Sequence, residues 1–409
     1  LGGRVMKQFS LKKGLVLGTA LSAGLLAVGS AQAGATFKID DTKWLSMGVG
    51  IRTSFSAVEG GAPQPGNSGD MRGDEWSNDF AVDNARIYLN GQVHENIKFE
   101  FNTESRVVGN DEDFFVLDAI AKFEFNDMFN IWVGRQLVPS DRAELNGPFY
   151  HSTYEFNKTP FWPNDQSSYG AGKYGRDDGI NLWGALTADK KLTYVVGVFN
   201  GTVNGPDAED NLLYAGRISY NFLNVEKNPG YYTSSTYYGN AGDILTVAFA
   251  TQWEEDAIGT NAQDSSDFFG YSVDLLGETT LGNGAVVTVE GQYKKFELAG
   301  PSKALLNGIP PGLMFEGDAY TGTLLYLMPG KVGIGQLQPY VRYTANEEEN
   351  SADRDEFEAG LNYIIDGHNA RVSLMYQYGD IASKGANYTA PDVRGDDVHA
   401  IKLGFQLQI

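Results

Sequence analysis

The residues with chemical potential in this chain are a spaced series of bases. Arg52, Arg86, Lys98, Arg106, Lys122, Arg135, Arg217, Lys294, Arg342, Arg371 and Lys402 each alternate with apolar neighbours. Period-two spacing puts such residues on one face of a strand, opposite the apolar set. A guanidinium offers a planar fork of donors, so a wall of arginines suits phosphate or carboxylate. Glu100, Glu104, Glu124, Glu290 and Glu358 fall on the same face. The competing reading, of equal weight, is that each base pairs with such an acid and stiffens the wall.

Covalent chemistry finds no footing. The four histidines are His94, His151, His368 and His399, and His94 and His368 fall in short turns. No Gly-x-Ser-x-Gly and no His-Glu-x-x-His occurs, so no nucleophile–base pair or metal-ligand pair is signalled. No catalysis, cofactor or metal is expected. The net charge of -21 argues against nucleic acid as a partner.

These bases must be held by strands. Phe357, Ala359, Leu361, Tyr363 and Ile365 alternate with polar or small residues, 366–369 is a tight turn, and Ala370, Val372, Leu374, Tyr376 and Tyr378 resume the alternation. This is a long β-hairpin with one apolar and one polar face. Similar strands are expected at 45–55, 85–93, 97–104, 115–125, 131–138, 179–187, 192–200, 211–222, 243–254, 267–279, 285–297, 319–328, 336–345, 356–365, 370–379 and 397–409, about sixteen in all. With 409 residues, 50 glycines, no cysteine and no shift in composition, the chain reads as one large antiparallel transmembrane β-barrel. Its apolar face would meet lipid and its polar face a wet lumen.

Connections tend to alternate short and long, as periplasmic turns and extracellular loops do. Short ones are 126–130, 188–191, 281–284 and 366–369; long ones are 59–78, 107–113, 139–178, 299–317 and 379–395. The stretch 223–242 should be short and is not, which means either an enlarged turn or a failed register. Aromatic residues at strand ends, such as Phe125, Phe129, Tyr220, Phe222, Tyr320 and Tyr326, suit interfacial girdles.

The longest loop, 139–178, holds Asp141, Arg142, Glu144, Pro160-Phe161-Trp162-Pro163 and Arg176-Asp177-Asp178. Loops of that length are functional or disordered, and its aromatics need burial. As the third long loop it is expected to fold into the lumen, with Arg135, Asp141, Arg142 and Arg176 at the constriction. Arg52, Arg86, Lys98, Arg106, Arg217, Arg342 and Arg371 would line the approach.

The N-terminus reads as an export signal. Lys7, Lys12 and Lys13 precede an apolar run over 15–28, and Ala31-Gln32-Ala33 is a small-x-small cleavage site. Residues 1–33 would be removed and 34–409 would form the barrel domain. Losing Arg4, Lys7, Lys12 and Lys13 takes the net charge from -21 to -25. The end, Lys402-Leu403-Gly404-Phe405-Gln406-Leu407-Gln408-Ile409, resembles the C-terminal insertion signal of outer-membrane proteins, with Ile409 where Phe is usual.

Several segments resemble the phosphate-selective porin O/P family. They are Val133-Gly134-Arg135-Gln136 with Pro139, Gly175 through Gly184, Gly197-Val198-Phe199-Asn200-Gly201, Leu337 through Tyr343, and Gly360-Leu361-Asn362-Tyr363, in family order. The resemblance implies a 16-stranded trimeric barrel in a Gram-negative outer membrane, an inward third loop and passive diffusion of anions. The family's lysine cluster has no counterpart: Lys158 and Lys173 are the only lysines in the long third loop. The expectation is a homotrimeric outer-membrane porin for small hydrophilic solutes and ions, phosphate among the candidates, embedded in lipid and lipopolysaccharide. The alternatives are a cation-preferring or general pore, and a structural or partner-binding barrel with a plugged lumen.

Overall fold

The computed structural model describes residues 34–59, 76–108, 111–160, 175–202, 207, 209–259, 265–298, 316–349, 352–381 and 397–409. The expected leader and most of the long loops, including 161–174 with Lys173, lie outside the described residues. The elements are β1 (Ala35–Lys38), β2 (Trp44–Glu59), β3 (Trp76–His94), β4 (Ile97–Val108), β5 (Asp111–Glu124), β6 (Asn130–Leu137), α1 (Arg142–Tyr150), β7 (Arg176–Ala185), β8 (Leu192–Phe199), β9 (Leu213–Asn221), β10 (Ile244–Gly259), β11 (Ser265–Thr280), β12 (Val286–Leu298), β13 (Gly317–Leu327), β14 (Gln336–Glu348), β15 (Arg354–Asp366), β16 (Ala370–Gly379) and β17 (Val398–Gln408).

From β2 to β17 each strand pairs antiparallel with the next, and β17 returns to β2 through Ala400↔Val58 to Gln408↔Gly50. Sixteen strands therefore close on themselves. Closure matters because an unpaired backbone group in hydrocarbon costs several kcal/mol, on the order of the figure for burying any polar group unbonded. The seam is finished by β1, which pairs with Trp44–Met47 of β2 just beyond the stretch that β17 covers. Val49 and Ile409 exchange backbone hydrogen bonds of 3.0 and 2.9 Å at that point.

Side chains sort by parity. Val49, Ile51, Val133, Ile180, Phe249 and Leu374 are between 40 and 50 % exposed, while their strand neighbours Arg52, Trp132, Asn181, Ala248 and Ser373 are buried. The apolar residues thus face out and the polar ones face in, the reverse of a soluble protein. Aromatic rings cluster along the outer rims, as in the run Tyr271, Tyr293 and Tyr320, whose centroids lie 6.1 and 5.3 Å apart.

One expectation about the connections needs revising, and one open alternative is decided. Of the stretch expected as an acidic loop, 107–108 and 111–113 are strand, because β4 and β5 continue pairing through Arg106↔Asp113, Val107↔Glu112 and Val108↔Asp111. Ladder hydrogen bonds join backbones whatever the side-chain charge. The stretch 222–243 is an enlarged turn with no loss of register: β9 and β10 pair cleanly from Thr246↔Asn221 to Trp253↔Tyr214.

Candidate functional site

The segment 138–160 follows the polar side of the wall and is held there by ten strands. Arg217 of β9 donates to the Ser140 carbonyl (3.0 Å) and Gln252 of β10 to that of Pro139 (3.0 Å). Lys294 of β12 bridges Asp141 (2.8 Å) and Glu144 (2.9 Å) and donates to the Pro160 carbonyl (2.9 Å). Asn362 of β15 reaches Ser152, Arg342 of β14 reaches Thr153, and Gln406 of β17 reaches Phe149. Tyr154 donates to Thr53 of β2 and Asp83 of β3. Arg371 of β16 donates to the carbonyls of His151 (2.6 Å), Ser152 (3.2 Å) and Thr153 (3.2 Å).

Local sequence explains the shape of this segment. Asp141 caps α1 by accepting from the Glu144 backbone N–H at 3.2 Å, the role for which aspartate is favoured at a helix start. Gly147, at φ +58, breaks the helix in a left-handed conformation open to glycine.

At the centre lies a four-charge cluster. Arg142 donates to both oxygens of Glu226 (2.8 and 2.7 Å) and to Asp274 (3.3 Å). Arg217 forks onto the same Asp274 at 2.5 and 2.9 Å. Arg142 and Asp274 are 1 % exposed, so each charge depends on its partners. Burial pushes the Glu226 carboxyl up, but the adjacent Arg142 charge and its hydrogen bonds outweigh that and hold it at about 2.

Most of the bases singled out from sequence do face inward, and they are paired. Arg86 meets Glu104 (2.6 Å), Lys98 meets Glu124 (2.5 Å), Arg342 meets Glu358 (2.8 Å), and Lys122 meets Glu100. Arg176 pairs with Asp118 (2.7 Å) and Lys402 with Glu155 (2.8 Å). Arg52 donates to Asn84 (2.6 Å) and to the Tyr154 carbonyl. Arg106 lies in β4, but its side chain is outside the described ones.

Arg135 departs from the sequence reading. It shares its strand face with Val133, 40 % exposed, whereas Trp132 and Gln136 are buried on the other face. Its partner Asp178 is beside it at 3.0 Å. Arg135 therefore stands on the outward side, because parity within β6 runs through Trp132 and not through the charge itself.

The enlarged turn 222–243 brings partners that sequence reasoning missed. Tyr231 donates to the Leu137 carbonyl at 2.5 Å and accepts from Asn181 at 2.8 Å. Asn146 of α1 donates to Ser235 (2.6 Å), Ser235 to Glu290 (2.8 Å), and Thr236 to Glu278 (2.7 Å). Arg142 donates to the Ser234 carbonyl at 2.8 Å. Trp132 packs on Tyr231 and Tyr232 at 5.3 and 5.4 Å. The turn and the segment 138–160 are thus stitched to each other. Asp274 and Glu278 were findable by parity within β11; the only signal for Glu226 was the anomalous length of its connection. At the loop end, Asp355, Asp380 and Asp397 bring carboxylate oxygens within 4.8 Å of one another.

Comparison with solved structures places this architecture among outer-membrane barrels. An anion-selective porin from Comamonas acidovorans matches with a TM-score of 0.57 at 14 % identity, covering 90 % of this chain and 100 % of that one. The outer-membrane expressed OmpT of Vibrio cholerae matches with a TM-score of 0.55 at 14 % identity, covering 92 % and 100 %. In-vitro folded OmpT of Vibrio cholerae in its trimer form matches with a TM-score of 0.53 at 14 % identity, covering 90 % and 100 %. At such identities the likeness is one of fold. Comparison with curated proteins finds no match. A family model, phosphate-selective porin O and P, matches residues 66–409. With that match running through nearly the whole barrel, the chain belongs to the phosphate-selective porin O and P family.

Proposed function

We propose that this outer-membrane porin passes small hydrophilic solutes and ions by passive diffusion, with anions such as phosphate among them. The observation that carries the reading is the sorting of side chains: an apolar band outside and ionisable groups inside a closed wall. Membership of the family supports the anion preference. In this reading the segment 138–160 crosses the lumen and narrows it, supported by its hydrogen bonds to strands as distant as β3 and β11. Asp141, Arg142 and Arg176 then set the narrowest passage, and Arg52, Arg86, Arg217, Arg342 and Arg371 line the approach. The mature chain, 34–409, follows cleavage of a leader at 1–33, sits in lipid and lipopolysaccharide, and assembles as a homotrimer.

A second reading is cation preference. It is favoured by Glu254, Glu278 and Glu290, whose inward carboxylates accept from hydroxyl and backbone N–H donors: Thr202, Thr236 with Thr288, and Ser235 with Ser152. The inward arginines, by contrast, are largely neutralised by acids. Single-channel conductance in a planar bilayer under a KCl gradient separates the readings. A reversal potential on the chloride side, with block by added phosphate, supports the anion path; one on the potassium side supports the carboxylates as the filter. Absence of current would leave a barrel with a plugged lumen.

A further inference from the structure

The wall is low on one side. β6 and β8 have 8 residues each and β9 has 9, whereas β10 and β11 have 16 each and β12, β14 and β15 have 13. Eight residues at about 3.3 Å per residue and a tilt of about 40° rise about 20 Å along the barrel axis, against an apolar band of about 25 Å. A sector that short is mismatched to the hydrocarbon around it, and association with a neighbour is one way to relieve the mismatch.

The outward side chains change with the height of the wall. From β10 to β16 the loop-end rim carries rings, among them Trp253, Tyr271, Tyr293, Tyr320, Tyr343 and Tyr378. Outward rings at that level mark a boundary with lipid headgroups. On β6, β7 and β8 the loop-end half carries no outward ring among the described residues. Val133, Ile180 and Val196 stand there instead, 40, 41 and 48 % exposed. Arg135 and Asp178 lie just above the first two as an ion pair at 3.0 Å. The neighbouring β5 presents exposed Ala119 and Ala121, the ladder partners of Arg135 and Val133.

Open sheet edges border the same sector. β3 and β4 pair only from Tyr88↔Asn102 to His94↔Ile97, although β2 stays paired with β3 as far as Glu59↔Trp76. Beyond the break, the Ser105 and Thr103 hydroxyls accept from the backbone N–H groups of Ala85 (2.9 Å) and Ile87 (3.3 Å). β5 pairs with β6 only from Ala119↔Arg135 to Glu124↔Asn130. The outer part of β4 and β5 therefore stands as a two-stranded ribbon, and its Phe114 is 64 % exposed. Lipid chains neither donate nor accept hydrogen bonds, so such edges favour a protein neighbour over hydrocarbon. A second copy of this chain fits the need. It brings an equally low wall at the same depth, and an outward ion pair with one charge of each sign is complementary to its own copy.

We propose that the low face from β5 to β8 is the surface on which copies of this chain meet, with the Arg135–Asp178 pair inside the contact. The inference rests on the homotrimer reading above and adds the face that makes it. The chain has no cysteine, so single-cysteine variants report contacts without background. Refolded Ala121→Cys and Val133→Cys, with Val341→Cys on β14 halfway round the ring, are treated in detergent with a short bis-maleimide. Covalent oligomers that survive boiling are expected from the first two and not from the third. Val133→Trp gives an independent readout. Lipid tolerates a large outward ring, whereas a packed protein contact does not, so the ratio of trimer to folded monomer should fall about tenfold. The heat-modifiable band and the current per barrel should stay as in the wild type. Cross-links from Val341→Cys alone, or from all three variants as random collision would give, overturn the inference. So does a wild-type trimer by native mass with no cross-link at 121 or 133 and an unchanged ratio in Val133→Trp; the homotrimer then stands on another face. Native mass showing only monomer in the wild type removes the homotrimer reading and this inference together.

Discussion

Replacing Glu226 by glutamine should loosen the enlarged turn while preserving its shape. In the native protein Glu226 holds both arms of the Arg142 guanidinium and is itself 8 % exposed. Its carboxyl is held at about 2 against an ordinary 4.5, a difference worth about 3 kcal/mol at 1.36 kcal/mol per unit. That agrees with the roughly 3–5 kcal/mol lost when one member of a buried ion pair is removed. Hydrogen exchange on peptides covering 222–243 reads this directly, and about 3 kcal/mol corresponds to roughly a hundredfold loss of protection. The pH dependence carries the same signature. A carboxyl depressed in the folded state contributes stability that is present above about 4.5 and is lost as pH falls toward about 2. Wild-type protection should therefore fall across that window, and the Glu226→Gln curve should be flat. Unchanged exchange at neutral pH in the variant would refute the assignment of the turn's anchorage to this pair.

Three further outcomes follow from the geometry. Asp274→Asn removes the acid that Arg142 and Arg217 share and leaves Glu226 with Arg142; the reversal potential in a KCl gradient should move toward chloride, at a stability cost of about 3–5 kcal/mol, and a movement toward potassium would contradict the proposed constriction. Burial, with the Arg371 charge behind it, lowers His368 to about 4 from 6.5, so the neutral ring contributes stability above about 6.5 that is lost as pH falls toward about 4. His368→Gln should remove that part of the acid sensitivity in exchange at 366–369, and a wild-type profile flat between those values would sink the idea. At Gly134, φ is +123 and an added Cβ would sit 2.1 Å from the Ala119 carbonyl oxygen; Gly134→Ala should cost about 1–3 kcal/mol and reduce the yield of the heat-modifiable folded band on gels, and a wild-type yield would show that the ladder can shift there.

Much of the wall was legible in the residues themselves. The alternation of Phe357 to Ile365 with small and polar neighbours marks β15, and the same rule located the hairpins down to β17 within a few residues. It also assigned Arg52, Arg86, Arg217, Lys294, Arg342 and Arg371 to the inner face, because parity is a local property of an extended chain. It failed for Arg135, where the apolar marker on the inner face was Trp132, a residue that looks outward-facing until Tyr231 and Tyr232 are seen to cover it. It failed also at 107–108 and 111–113, where charge suggested a loop and backbone pairing continued regardless.

What the chain alone determined is the barrel: period two, strand count, loop asymmetry and an apolar outer face are all nearest-neighbour patterns. What only the tertiary structure decided is how the inner charges are spent. Arg142 meets Glu226 across 84 positions and Asp274 across 132, and Arg371 meets the carbonyls of 151–153 across about 220. Such partners converge because two segments without regular periodicity, 138–160 and 222–243, are pulled against the wall by groups that cannot remain buried unpaired. Charge balance inside a closed wall is a sum over distant strands, and no local pattern in a sequence encodes that sum.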